Sequence, residues 1–182
     1  NPALAIASSV VHNYESEPEM TEINIDRLAD IEDFKAILKL HDEAKEFLEE
    51  HNWCKKTLKS WYDFGIADKI GIFLFQIEPK HNETDSFIWV IVGDLPTVYL
   101  DQSILDGHEA LETYCELMTE WSDNVLKGNS VDDCYPVTAS ATIENAELLI
   151  KRINFIKTNL LNEEKEQLCT TNAIANAGLR VR

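Results

Sequence analysis

The chain has 182 residues, 45% of them apolar and 27% charged, which is enough for one domain with a substantial core. Its 16 Lys and Arg face 33 Asp and Glu, a formal net charge of −17. Such a surface argues against nucleic acid and anionic membrane as partners and suits a basic protein, and no apolar run approaches the roughly 18 residues of a membrane span.

Taken in chain order, residues 1–19 come first. The opening "NPALAIASSVV" has the apolar character of a leader core but no basic segment ahead of it, and Met20 before "TEINIDRL" reads as a natural start. Residues 1–19 are therefore expected to be an N-terminal extension, a processed leader or a tail. Residues 20–168 are expected to form a single α+β domain, and 169–182, which lack amphipathic order, a C-terminal tail.

"IEDFKAILKLHDEAKEFLEEHN" predicts the first helix. Ile31, Phe34, Leu38, His41, Ala44 and Leu48 share a stripe, with Ile37 and Phe47 beside it. Asp30, Glu32 and Asp33 favour its start through the macrodipole. His41, alone on an apolar stripe, reads as a satisfied core or edge residue. "WCKKTLKSWYDFGIADKI" follows and predicts a short helix and then a strand ending near Gly65. Its aromatics stand beside Lys55, Lys56 and Lys59, a pattern that can stack and neutralise single-stranded nucleic acid, but the surrounding negative charge opposes that use.

"GIFLFQIEP" is β-branched and aromatic and predicts a strand stopped by Pro79. "SFIWVIVGD" is apolar almost throughout, as expected of a central strand buried on both faces. "PTVYL" predicts another. Together they predict an antiparallel sheet of three to four strands packed against about three amphipathic helices. Between the last two strands, Gly93-Asp94-Leu95-Pro96 reads as a bend. A phosphate loop needs several glycines and a helix start or a lysine behind them, and Asp94 would repel the phosphate.

"DGHEALETYCELMTEWSDNVLKG" predicts the second helix. Asp106 and Glu109 form an Asp-x-x-Glu start resembling a capping box, and Gly128 suits the C-terminal cap. Leu111, Tyr114, Cys115, Met118, Trp121 and Val125 make the apolar side, with Cys115 a buried thiol. The polar side carries Glu109, Glu112, Glu116, Glu120 and Asp123. Like charges at i, i+4 repel, so this row is a candidate recognition face, with Asp106 at its start. "NSVDDCYPVTAS" predicts a loop. It lacks the alternating oxygens, glycine and late glutamate of a calcium site, and His51 and Cys54 lack a second pair to hold zinc, so no metal is expected. "TIENAELLIKRINFIKTNLL" predicts the third helix, capped by Thr142, with a stripe of Ala146, Leu149, Ile150, Ile153, Ile156 and Leu160.

Cys54, Cys115, Cys134 and Cys169 are widely spaced without C-x-x-C, consistent with a reduced, cytoplasmic protein. No G-x-S-x-G, Walker or dinucleotide motif occurs, so no catalytic residue and no cofactor is assigned. An alternative site is an aromatic pocket between sheet and helices, lined by Trp61, Trp89, Tyr99 and Trp121, for a small molecule or for enzymatic chemistry. A homodimer joined through an apolar patch is a third reading.

"FIWVIVGDLPTVYL", "ALETYCELMTEWSDNVLKG", "YPV" and "ENAELLIKRINFIKTNLL" together resemble a group of small acidic bacterial proteins of uncharacterised function, over roughly residues 53–161. The chain is also similar in size, acidity and α+β build to immunity proteins that neutralise bacterial toxins. That resemblance implies an interaction module covering a basic toxin or nuclease, and it carries over no catalytic residues.

Overall fold

The computed structural model describes residues 31–81 and 85–161. The expectations for residues 1–19 and 169–182 lie outside them. The chain divides into two compact units, Asn1–Tyr114 and Cys115–Arg182.

The first unit holds helix α1 (Ile31–Glu49), strands β1 (Cys54–Ile66), β2 (Ile70–Pro79), β3 (Phe87–Gly93) and β4 (Val98–Leu100), and the first turns of helix α2 (Gly107–Lys127). The strands form one antiparallel sheet in the order β1-β2-β3-β4. This is the expected α+β build, with four strands.

The register assigns each side chain to a face. Phe73, Phe75 and Ile77 of β2 share one face with Ile88, Val90 and Val92 of β3. Ile37, Leu40, Ala44 and Leu48 of α1 cover that face, and all four are buried. The buried stripe of α1 therefore runs through Ile37 and Leu40, not through Phe34 and Leu38, which stay half-buried. Only the first pair is spaced to meet Ala44 and Leu48 on one side of the helix. Ile72 and Leu74 share the opposite face with Trp89 and Ile91, and all four are buried. Burial on both faces explains why β2 and β3 read as almost unbroken apolar runs.

β1 differs from the expectation. The expected short helix at its start is strand throughout, and its pairing with β2 slips between Cys54 and Lys56, Thr57 and Lys59, and Tyr62 and Phe64. Each slip is a β-bulge with one extra residue on β1: Lys55, Leu58 and Asp63. Every bulge inverts the in–out alternation, so no period of two survives in the sequence.

Two turns need their residues. Between β1 and β2, Asp68 takes a left-handed φ of 58°, which aspartate tolerates. After β3, Gly93 has φ 149°, and a Cβ there would lie 2.0 Å from the Lys69 carbonyl oxygen. The Asp94 N–H donates to that oxygen at 2.9 Å, and Lys69 Nζ reaches Asp94 Oδ2 at 3.1 Å. The Gly-Asp pair is thus the bend between two strands, closed against the β1–β2 turn.

The second unit holds the rest of α2, helix α3 (Ile143–Ile156) and one π-helical turn, Lys157–Leu161. Cys115, Met118, Trp121 and Val125 are buried on α2, as their spacing predicts. Gly128 closes the helix with φ 69°. Thr142 caps α3, its hydroxyl accepting from the Asn145 N–H at 3.2 Å. Ala146, Leu149, Ile153 and Ile156 are buried, but the next buried residue is Leu161 rather than Leu160. The π turn adds one residue to the repeat and carries the stripe forward by one position.

Candidate functional site

The acidic residues of α2 fall into two groups. Asp106 Oδ1 accepts from the Glu109 N–H at 2.8 Å, and Glu109 Oε2 accepts from the Leu105 N–H at 2.7 Å. These two carboxylates close the helix start as a capping box does, each with one oxygen engaged by a backbone N–H. Near the other end, Asp123 Oδ2 lies 3.2 Å from Lys127 Nζ. Between them, Glu112, Glu116 and Glu120 are exposed at i, i+4 spacing on one side of the helix. Glu112 comes no closer than 3.9 Å to His108 Nδ1, and Glu116 and Glu120 make no ion pair among the described residues. The open part of the acidic row is this trio.

Three of the residues expected to line an aromatic pocket, Trp61, Trp89 and Tyr99, belong to the sheet. Trp61 pairs with Leu74, and Leu74 with Trp89, which puts both tryptophans on one face of the sheet. Tyr99 pairs with Val90 and lies on the other face, the one that α1 covers. The sheet itself therefore separates Tyr99 from Trp61 and Trp89, while Trp121 is a buried residue of the second unit. Trp89 Nε1 donates to the Ile104 carbonyl at 3.3 Å, whereas Trp61 Nε1 is buried and finds no acceptor among the described residues.

Tyr99 belongs to a cluster that the sequence did not announce. His51 stands between Phe47, Trp53 and Tyr99, with ring centroids 4.8, 4.9 and 5.0 Å away. Its Nδ1–H donates to the Phe47 carbonyl at 2.7 Å, which fixes the ring at the end of α1. The imidazole fills the space between these rings, so the cluster is a packed plug.

The richest polar arrangement lies between α1 and β1. His41 Nε2 is 2.8 Å from Ser60 Oγ, and His41 Nδ1 is 3.2 Å from Asp42 Oδ1. The imidazole stacks on Phe75 (5.5 Å, 18°) and meets the edge of Phe73 (5.9 Å, 65°). Burial pushes its pKa below the ordinary histidine value, and this outweighs the opposing pull of the Asp42 carboxylate. Two turns further along α1, Glu49 Oε1 accepts from the Thr57 N–H at 3.1 Å and from the Thr57 hydroxyl at 2.8 Å. Burial alone would raise that carboxyl, but the two Thr57 bonds outweigh it and hold it below the usual range. Beside Ser60 on the strand, burial and then the Asp63 and Asp33 carboxylates push the Tyr62 phenol up to about 12, so it stays protonated.

His41 is thus the edge residue that the stripe implied, but with two hydrogen-bond partners. Ser60 was missed because it lies 19 positions away in a strand whose bulges hide its face. Cys54 and Cys115 are buried thiols, and burial pushes Cys54 up, away from thiolate chemistry. No helix among the described residues is long and apolar enough to cross a membrane.

Residues 33–167 match the family described as a domain of unknown function, DUF4826, and the chain belongs to that family. No curated protein matches the chain, and no solved structure does.

Proposed function

We propose that this member of the DUF4826 family is an acidic protein-interaction module of the bacterial cytoplasm, in its sharpest form an immunity-type inhibitor that covers a basic toxin or nuclease. The observation that carries the reading is the surplus of carboxylates. Even if every one of the 16 Lys and Arg matched one acid, 33 − 16 = 17 would remain unmatched. The cations that do pair hold local partners, as Lys55 and Lys56 hold Glu78 and Lys127 holds Asp123. That leaves Glu112, Glu116 and Glu120 as an open anionic row along α2. Complementary charge of this kind accelerates association with a basic surface and makes it sensitive to salt.

The test is capture of a basic partner encoded near this gene. Binding is expected at low ionic strength, to weaken as salt rises, and to be lost when Glu112→Lys, Glu116→Lys and Glu120→Lys are combined. Capture that ignores both salt and the triple reversal defeats the reading.

A further inference from the structure

The seam between α1 and β1 holds a hydroxyl, an imidazole and a carboxylate in series, and the chemistry of the three fixes which group donates to which. Ionised Asp42 only accepts hydrogen bonds, so at 3.2 Å it requires the proton on His41 Nδ1. Nε2 then presents a lone pair, and at 2.8 Å the Ser60 hydroxyl is the donor. Hydroxyl to imidazole to carboxylate is the order that general-base activation of a serine requires, and it is recognised by geometry rather than by sequence motif. The ring is held flat against Phe75 and edge-on to Phe73, which limits its rotation away from Ser60. Its side chain remains 16% exposed, that of Asp42 is 75% exposed, and Ser60 is half-buried, so none of the three is sealed from solvent. Lys45, one helical turn beyond His41, is exposed, makes no ion pair among the described residues, and is near enough for its charge to act on the imidazole.

We propose that Ser60 is a nucleophile toward small activated carboxylic esters, with His41 as its general base and Asp42 as the residue that positions His41. Ser60 Oγ bonds to the ester carbonyl carbon while its proton passes to His41 Nε2. The tetrahedral oxyanion collapses and expels the alkoxide, which takes the proton from His41. Water then attacks the acyl-serine, giving its proton to His41, and the carboxylic acid leaves as Ser60 recovers its own. Ester and water become acid and alcohol, with no further reactant. This activity is separate from partner binding, and Glu112, Glu116 and Glu120 take no part in it.

The full chain is treated with a small alkyl fluorophosphonate, and the product is read by intact mass and peptide mapping. The serine oxygen bonds to phosphorus, fluoride leaves, and the hydroxyl proton goes to His41. One adduct is expected, on the peptide containing Ser60, absent in Ser60→Ala and from the heat-unfolded chain. His41→Gln is expected to slow labelling on the order of 100-fold. Asp42→Asn should shift the pH profile of labelling to lower pH, because the carboxylate raises the imidazole pKa, and should also lower the plateau rate above the titration, where charge no longer matters; an unchanged plateau removes Asp42 as the positioning residue. If His41→Gln melts early, Ser60→Cys replaces it. A cysteine facing an activating imidazole is alkylated by iodoacetamide faster than Cys134, and a rate equal to that of Cys134 overturns the proposal. Labelling of Ser60 no faster than in the unfolded chain, or unchanged in His41→Gln, overturns it as well.

Discussion

β1 and β3 flank the same strand and use it in opposite ways. β3 pairs with β2 over seven consecutive positions without a slip, and five of its seven residues are buried. β1 is nearly twice as long, at 13 residues, yet it is interrupted three times and buries only Cys54 and Trp61. Regular pairing puts every second side chain into one of two cores, and β3 is spent on packing. Each bulge re-aims the chain, and β1 thereby turns its polar groups toward their partners: Thr57 toward Glu49, Ser60 toward His41, and Asp63 toward the Gly107 N–H at 3.1 Å. Of two strands on one neighbour, the regular one holds the fold and the irregular one carries the polar contacts.

That contrast can be tested by substitution, beginning with the largest effect. Trp89→Ala removes a side chain that is 1% exposed at the centre of β3, and about 3–5 kcal/mol of unfolding free energy should disappear in a denaturant titration. At the end of the same strand, Gly93→Ala places a methyl 2.0 Å from the Lys69 carbonyl oxygen with φ 149°, and a loss of about 1–3 kcal/mol is expected from thermal melts. On β1 the effects should be smaller. Asp63→Ala takes away the acceptor for Gly107 at an exposed bulge and should cost about 1 kcal/mol.

His41 gives β1 a pH signature. Its folded pKa lies below that of the unfolded chain, so the unfolded state takes up the proton first as pH falls. The contribution is constant above the ordinary value of about 6.5 and declines below it, by at most about 1.4 kcal/mol per pH unit, until the folded imidazole also titrates. The difference in stability between the wild type and His41→Gln, followed from pH 7 to 5, should therefore narrow. A difference that widens on acidification would contradict the assignment. The smallest effect is Lys55→Ala. Its 2.6 Å contact with Glu78 is between exposed groups screened by water, and the melting temperature should hardly move. A cost at Lys55 rivalling that at Trp89 would erase the contrast between the strands.

The same contrast explains what could be read from the residues. β2 and β3 are almost unbroken apolar runs and the apolar side of α2 is regular, so Phe73 and Val90 announce their burial by composition and Leu111 and Trp121 by spacing. The caps at Asp106, Gly128 and Thr142 are local hydrogen-bond chemistry and were visible for that reason. β1 was not legible, because Lys55, Leu58 and Asp63 each reverse the alternation on which a strand is recognised. Tyr99 could not be assigned a face until its pairing with Val90 was known, and that pairing set it apart from Trp61 and Trp89. The open acidic trio was partly legible. Its spacing was plain, but only coordinates showed that Asp106 and Glu109 are taken up by the helix start. Ser60 and His41 meet through tertiary packing, which leaves no local trace in a single sequence.

The borders of the sheet have one further consequence. A strand from another molecule can join only where it finds a long, even rail of N–H and C=O groups. On one side β4 offers three residues, and on the other β1 breaks its rail three times and lines it with Lys55, Lys56 and Lys59. Among the described residues neither border offers such a rail, so the folded sheet should resist seeding fibrils at concentrations where an evenly bordered one would.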